Sequence, residues 1–119
     1  MVNKFLVTAH LTNDPELRYT PNQVAVCNLR LASNRTFKTR AGEDREEKVF
    51  ITAVVWGKRA ENCNQYLQKG SAIFAEGRLL TKEWKNAEGQ KRSNIEMYVD
   101  YIYFINRMNE GTTLQEGGE

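Results

Sequence analysis

Apolar and polar side chains alternate through most of this chain. In residues 48–56 the odd positions Val49, Ile51, Ala53 and Val55 are all apolar. The even positions Lys48, Phe50, Thr52, Val54 and Trp56 mix large aromatics with a cation and a hydroxyl. Side chains two apart stand on one side of a pleated strand, so the segment predicts a strand with one face in a core. The same period marks residues 3–11 (Phe5, Val7, Ala9, Leu11), 72–84 (Ile73, Ala75, Gly77, Leu79) and 94–105 (Ile95, Met97, Val99, Tyr101, Tyr103, Ile105). In the last of these, Tyr98, Ile102 and Phe104 fall on the side away from the core. Residues 24–37 make a further strand, long enough to bend.

One stretch departs from period 2. Residues 59–69 carry Ala60, Cys63 and Leu67 at helical spacing, with Lys69 in the last turn and Gly70 as a stop. Turns are signalled by Asp14-Pro15, by Thr20-Pro21-Asn22, by a charged loop over 38–47 and by Asn86-Ala87-Glu88-Gly89 in a hairpin over 85–91. The resulting order, β-β-β-α-β-β, is all-β with one short helix. It matches the OB-fold, a five-stranded, partly open Greek-key barrel, with an SH3-like barrel as the structural competitor. Residues 1–108 form the predicted domain. Residues 109–119, with Gly111, Gly117 and Gly118 and few apolar side chains, read as a flexible tail.

Composition narrows the function classes. A chain of 119 residues has room for one core, and 40% hydrophobic with 27% charged residues suits a globular domain. No apolar run approaches the roughly 20 residues of a bilayer span. The first ten residues are too short and too polar for a secretory signal. A membrane-spanning protein, a fibre and a multidomain enzyme are thereby set aside. The net charge is +2, but three of the 15 acidic residues (Glu110, Glu116, Glu119) lie in the last ten, where no lysine or arginine occurs. The body therefore carries about +5, which permits a polyanion partner without requiring one. Cys27 and Cys63 form no C-x-x-C pair, and only His10 could help them complete a metal site. They read as buried free thiols of a reducing, cytoplasmic compartment, with no metal and no cofactor expected.

Enzyme signatures are missing: no phosphate-cradling glycine loop, no nucleophile elbow and no metal-ligand helix occurs, and no catalytic residue is assigned. The outer face of an OB barrel is a different kind of candidate. Single-stranded nucleic acid needs flat rings on which bases stack and cations that neutralise phosphates. Phe37 ends the second predicted strand, Phe50 and Trp56 share the non-core face of the third, and Trp84 opens the hairpin between the last two. Around them lie Arg30, Arg35, Lys38, Arg40, Lys48, Lys58, Lys69, Arg78, Lys82 and Lys85. Each ring also has a purely structural reading: Trp56 could cover the barrel end, and Phe50 could pack across strands. What points to function is the co-occurrence of rings and cations on the same elements.

Several blocks carry a family likeness. Asn3-Lys4-Phe5-Leu6-Val7, Asp14-Pro15-Glu16-Leu17-Arg18-Tyr19, Trp56-Gly57-Lys58, Tyr66-Leu67-Gln68-Lys69-Gly70-Ser71 and Glu76-Gly77-Arg78-Leu79 resemble the bacterial single-stranded DNA-binding proteins, from Val2 to about Arg107. The resemblance implies an OB-fold protein that coats and protects single-stranded DNA during replication, recombination and repair. It also implies a homotetramer, a dimer of dimers. The family's stacking aromatics fall on Phe37, Phe50, Trp56 and Trp84, and its matched basic contacts on Lys58, Lys69 and Lys82. Arg18 fits the R-Y step of the first motif. Three departures stand out. Thr8-Ala9-His10 replaces a shorter step after the first strand and predicts a bulge there. Leu80 and Glu83 stand where relatives often carry cations, which predicts a weaker groove near Trp84. The family's acidic tip, D-D-x-I-P-F, is absent, so recruitment of replication or repair proteins through such a tip is not expected. The end of the chain reads either as a truncation or as a short natural form, such as a viral, plasmid-borne or organellar relative, and a cytoplasmic, nucleoid-associated setting is expected. The rival readings are an OB-fold protein- or carbohydrate-interaction module and a primosome accessory protein.

Overall fold

A computed structural model describes residues 1–106 and 113–116. The chain runs β1 (Phe5–Leu11), β2 (Glu16–Tyr19), β3 (Ala25–Lys38), β4 (Asp44–Trp56), α1 (Lys58–Tyr66), β5 (Ala72–Lys85), β6 (Lys91–Asn106) and β7 (Thr113–Glu116). The sheet order is β1-β5-β6-β4-β3-β2, and β1 also pairs with β3 at His10 and Leu11. That second pairing closes β1, β3, β4, β6 and β5 into the expected five-stranded barrel, with α1 between β4 and β5. Burial follows the alternation. Val7, Ala9, Leu11, Cys27, Leu29, Leu31, Ala53, Val55, Ile73, Ala75 and Met97 fill the interior, and Ala60, Cys63 and Leu67 close it from the helix side.

Half of the charged loop expected over 38–47 is strand: Lys38 and residues 44–47 are paired. β3 and β4 pair without a break from Val26–Trp56 to Lys38–Asp44, so only residues 39–43 turn, with Gly42 at φ 82°. This ribbon projects past the barrel, so its outer half has solvent on both sides and needs no apolar alternation. β2 was not foreseen either. It occupies the Glu-Leu-Arg-Tyr step between two turn signals, pairs with β3, and is short and mostly exposed. The helix ends at Tyr66 rather than in a turn containing Lys69. Leu67 is already extended (φ −105°, ψ 155°), and Gly70 at φ 91° shapes the following turn. Of the tail expected over 109–119, Thr113–Glu116 pairs antiparallel with β6. The other tail residues lie outside the described residues.

The bulge predicted at Thr8-Ala9-His10 is not there: β1 pairs with β5 in continuous register from Phe5–Gly77 to His10–Ala72. The irregularity lies across the next ladder. Glu76 pairs with Tyr101 and Gly77 with Val99, which leaves Asp100 as an extra residue on β6. One extra residue reverses the side on which every later side chain stands. Before it Met97 points inward; after it Ile102 is fully buried and Phe104 packs on the core. The expectation that Ile102 and Phe104 face away from the core is therefore corrected, and Tyr101, 43% exposed, takes the outward side instead.

Candidate nucleic-acid interface

The outward face is built by register. Across β2, β3 and β4 the even positions Arg18, Val26 and Trp56 lie in one row. In the next, Glu16, Asn28, Val54, Tyr98 and Arg78 run through all five strands from β2 to β5. Arg30, Thr52, Glu96 and Leu80 form a third row. Beyond it β4 and β6 separate, since they pair only over Thr52–Glu96, Ala53–Met97 and Val54–Tyr98. The ribbon of β3 and β4 then carries Phe50 opposite Ala32 and Lys48 opposite Asn34, while β5 and β6 carry Lys82 opposite Asn94 and Trp84 opposite Arg92. A cleft of about 600 Å³ lies where they part, with Phe50 and Ile51 facing Asn94 and Ile95.

Three of the four expected rings share this face. Phe50 is 70% exposed, Trp56 43% and Trp84 46%, so none is a core residue. Beside them Val26 and Val54 are buried, which forms an apolar floor on the outer side of the sheet. Val54 lies on the non-core face of its strand, and its burial comes from its central place between β3 and β6. Phe37 is apart. The unbroken ladder puts it on the other side of the ribbon, with Leu29 and Leu31. There the Arg35 guanidinium lies 5.1 Å from its ring centroid and is held by Glu47 at 2.8 Å.

The cations divide in the same way. Arg18, Arg30, Lys48, Arg78 and Lys82 belong to the outward face, and Arg92, which the motifs did not single out, joins them beside Trp84. Several are ion-paired: Arg30 with Glu16 (3.5 Å), Lys48 with Glu46 (3.4 Å), Lys38 with Asp44 (3.4 Å) and Arg78 with Asp100 (3.9 Å). All are exposed pairs, which contribute only about 0–1 kcal/mol each and exchange readily for phosphate. Lys58 starts α1, Lys69 sits between α1 and β5, and Lys85 pairs with Lys91 at the end of the β5–β6 hairpin, so these three lie outside the rows of the face. Glu96, only 8% exposed, occupies the middle of the face.

The motif blocks resolve into scaffold and surface. Asp14 Oδ1 accepts from the Lys69 backbone N–H at 2.8 Å and clasps the β1–β2 loop to the segment after α1. The Tyr19 hydroxyl donates to Glu61 Oε2 at 3.0 Å, and that bond raises the Tyr19 pKa. Asn3 exchanges two hydrogen bonds with the Leu79 backbone, and Lys4 pairs with Glu76 at 3.2 Å. Of the Asp14–Tyr19 block, Arg18 and Glu16 stand on the outward face, Glu16 in its ion pair with Arg30. Tyr98 is the ring that sequence reasoning passed over: it was sorted only as facing away from the core, yet it lies 6.3 Å from Trp56, centroid to centroid.

Comparison with known proteins follows the same lines. Residues 2–105 match the model of the Single-strand binding protein family. The chain is 45% identical over 105 residues to a single-stranded DNA-binding protein of Halalkalibacterium halodurans, covering 88% of this chain and 61% of that one. It is 41% identical over 111 residues to single-stranded DNA-binding protein A of Bacillus subtilis, covering 93% and 63%. The chain thus spans less than two thirds of the length of these relatives. Among solved structures, a deletion mutant of the single-stranded DNA binding protein from Thermus aquaticus superposes with a TM-score of 0.78 at 31% identity, over 90% of this chain and 52% of that one. A Plasmodium falciparum SSB complex with ssDNA shares the fold, with a TM-score of 0.82 at 20% identity over 89% and 97%. With an OB barrel, a ring-and-cation face and this match over nearly its whole length, the chain belongs to the Single-strand binding protein family.

Proposed function

We propose that this protein binds single-stranded DNA without catalysis, coating and protecting it during replication, recombination and repair. The observation that carries the reading is the single outward face on which Phe50, Trp56 and Trp84 stand exposed among Arg18, Arg30, Lys48, Arg78 and Lys82. Bases stack on the rings, each ring contributing roughly 1–3 kcal/mol, while Lys58, Lys69, Lys85 and the cations of the face neutralise phosphates. Phe37, with Arg35, serves a strand that wraps over the ribbon's other side, while Lys38 adds a cation at the ribbon's end on the Phe50 side. Sequence preference is weak because every base has a π-face, and duplex is disfavoured because its bases are already stacked. A reducing, nucleoid-associated setting suits two free thiols.

The experiment is titration with oligo(dT) while following tryptophan emission. Quenching is expected at low salt, with affinity falling as salt rises by a log–log slope of about −0.7 per phosphate contact. Lys58→Glu and Lys82→Glu together weaken binding markedly and flatten that slope. Absence of quenching, or equal affinity for duplex, defeats the proposal. A protein-interaction module would keep its partner through the charge reversal.

The same reading includes self-association into a dimer of dimers. Its support is the outer face of β1, β5 and the far half of β6, where Leu6 and Tyr101 are exposed and Phe74 and Tyr103 stack at 5.9 Å. Beside them β1 pairs with β3 at His10 and Leu11 and the Ser33 hydroxyl donates to the Thr8 carbonyl, so among the described residues the stretch from Phe5 to Val7 has no strand partner on that edge. An open edge next to an apolar face invites a second copy.

A further inference from the structure

We propose that Tyr98, together with Trp56 and Arg78, forms a nucleobase-stacking subsite across β4, β6 and β5. The proposal rests on the single-stranded DNA reading and adds a contact on β6, a strand for which no base contact was expected.

The geometry is that of an aromatic corner. The Trp56 and Tyr98 rings stand 6.3 Å apart at 55°, so neither ring covers the other's face. Tyr98 is half-buried on one side and Trp56 43% exposed, and the buried Val54 lies next to Tyr98 in register. On the other side of Tyr98, Arg78 places its guanidinium 5.5 Å from the ring centroid. A base entering the corner meets two π surfaces at once. The guanidinium beside it is placed for that nucleotide's phosphate, since its ion pair with Asp100, at 3.9 Å, is long and exposed.

The backbone fixes this arrangement. Gly77 precedes Arg78, and a Cβ there would collide with the Tyr98 carbonyl oxygen, so β5 and β6 approach more closely than a side chain allows. The bulge at Asp100 begins two residues after Tyr98 and turns the rest of β6 over, so Tyr98 is the last residue of β6 before the bulge to share the face with Trp56 and Phe50. Bulges are concentrated beside binding sites because they re-aim side chains in this way. The subsite joins Trp56 to Arg78, and from there Lys82 and Trp84 continue along the same side of β5.

The test uses the full chain with a short oligo(dT), comparing Tyr98→Leu and Tyr98→Phe, together with photocrosslinking of the unmodified protein to a 5-iodouracil oligonucleotide. Loss of the ring in Tyr98→Leu weakens binding about 5- to 30-fold without changing the salt slope. Tyr98→Phe rescues it, and peptide mapping finds an adduct on Tyr98. Equal affinity of the Leu and Phe variants, or crosslinks that fall on Phe50 or Trp84 and spare Tyr98, overturns the subsite while leaving single-strand binding in place. An unmodified protein that binds no oligo(dT) overturns the underlying reading as well. Thermal melts of both variants separate lost stacking from lost folding, and the crosslink map decides if Tyr98→Leu does not fold.

Discussion

Cys27 and Cys63 show what burial does to a single side chain. Both thiols lie in the core, and loss of solvent pushes Cys63 up to about 12 and Cys27 up to about 11 from a starting value of 9.0. A raised thiol pKa keeps its proton in the folded state while the unfolded chain gives it up near 9. The folded state then binds more protons, and stability falls as pH rises from about 9 toward 12. Below 9 both states hold the proton and the thiols add no pH dependence. Urea titrations at pH 7.5 and pH 10 should show that loss, and a Cys27→Ala/Cys63→Ala variant should show less of it. A thiol reagent at pH 8 should label the native protein far more slowly than the protein in denaturant, because the thiolate is the reactive form. Both cysteines were legible as buried thiols from their apolar neighbours alone. The roles of Asp14 and Tyr19 were not, because their partners, Lys69 and Glu61, are more than forty residues away.

At the scale of the element, alternation located every barrel strand and failed wherever a strand left the barrel or changed step. The ribbon beyond Ser33 and Val49 has water on both sides, so nothing forces an apolar stripe, and Lys38–Glu47 read as a loop although half of it is paired. β6 failed differently: a period of two continues on paper through Asp100, whereas the strand inverts there. The inversion depends on the close approach at Gly77. Gly77→Ala should therefore destabilise the fold by about 1–3 kcal/mol, the usual cost of forcing atoms into a filled space. An unchanged urea midpoint for that variant would mean that β5 and β6 are not in such close contact.

The whole molecule adds two things that no strand contains. Barrel closure sets β4 beside β6, so Trp56, which precedes α1, meets Tyr98, which lies forty-two residues later. The bulge also assembles Tyr101 and Tyr103 with Phe74 and Leu6 on a second outer face, away from the ring-and-cation face. If that face joins two copies, light scattering at micromolar concentration should give about four times the chain mass, and Leu6→Glu or Tyr101→Glu should give a smaller species. A monomer mass for the unmodified protein would refute self-association. Neither substitution touches Trp56, Phe50 or Trp84, so binding by the smaller species would show the two faces to be separate.

The order of the barrel strands and the helix, the inward residues of β1 and of β4 from Ile51 to Val55, Met97 and Val99 of β6, and the stock of rings and cations were written in the sequence, because pleat and burial act on neighbours one or two residues apart. Val49 and Ile95, expected inward by the same alternation, are exposed at the cleft where β4 and β6 part. Which rings stand together was decided only by tertiary structure. An unbroken ladder carries Phe37 to the far side of the ribbon, and a parallel pairing of three residues brings Tyr98 to Trp56. One extra residue on β6 exchanges Tyr101 for Ile102 in the core. Such choices depend on register between distant segments, and local periodicity holds no information about register.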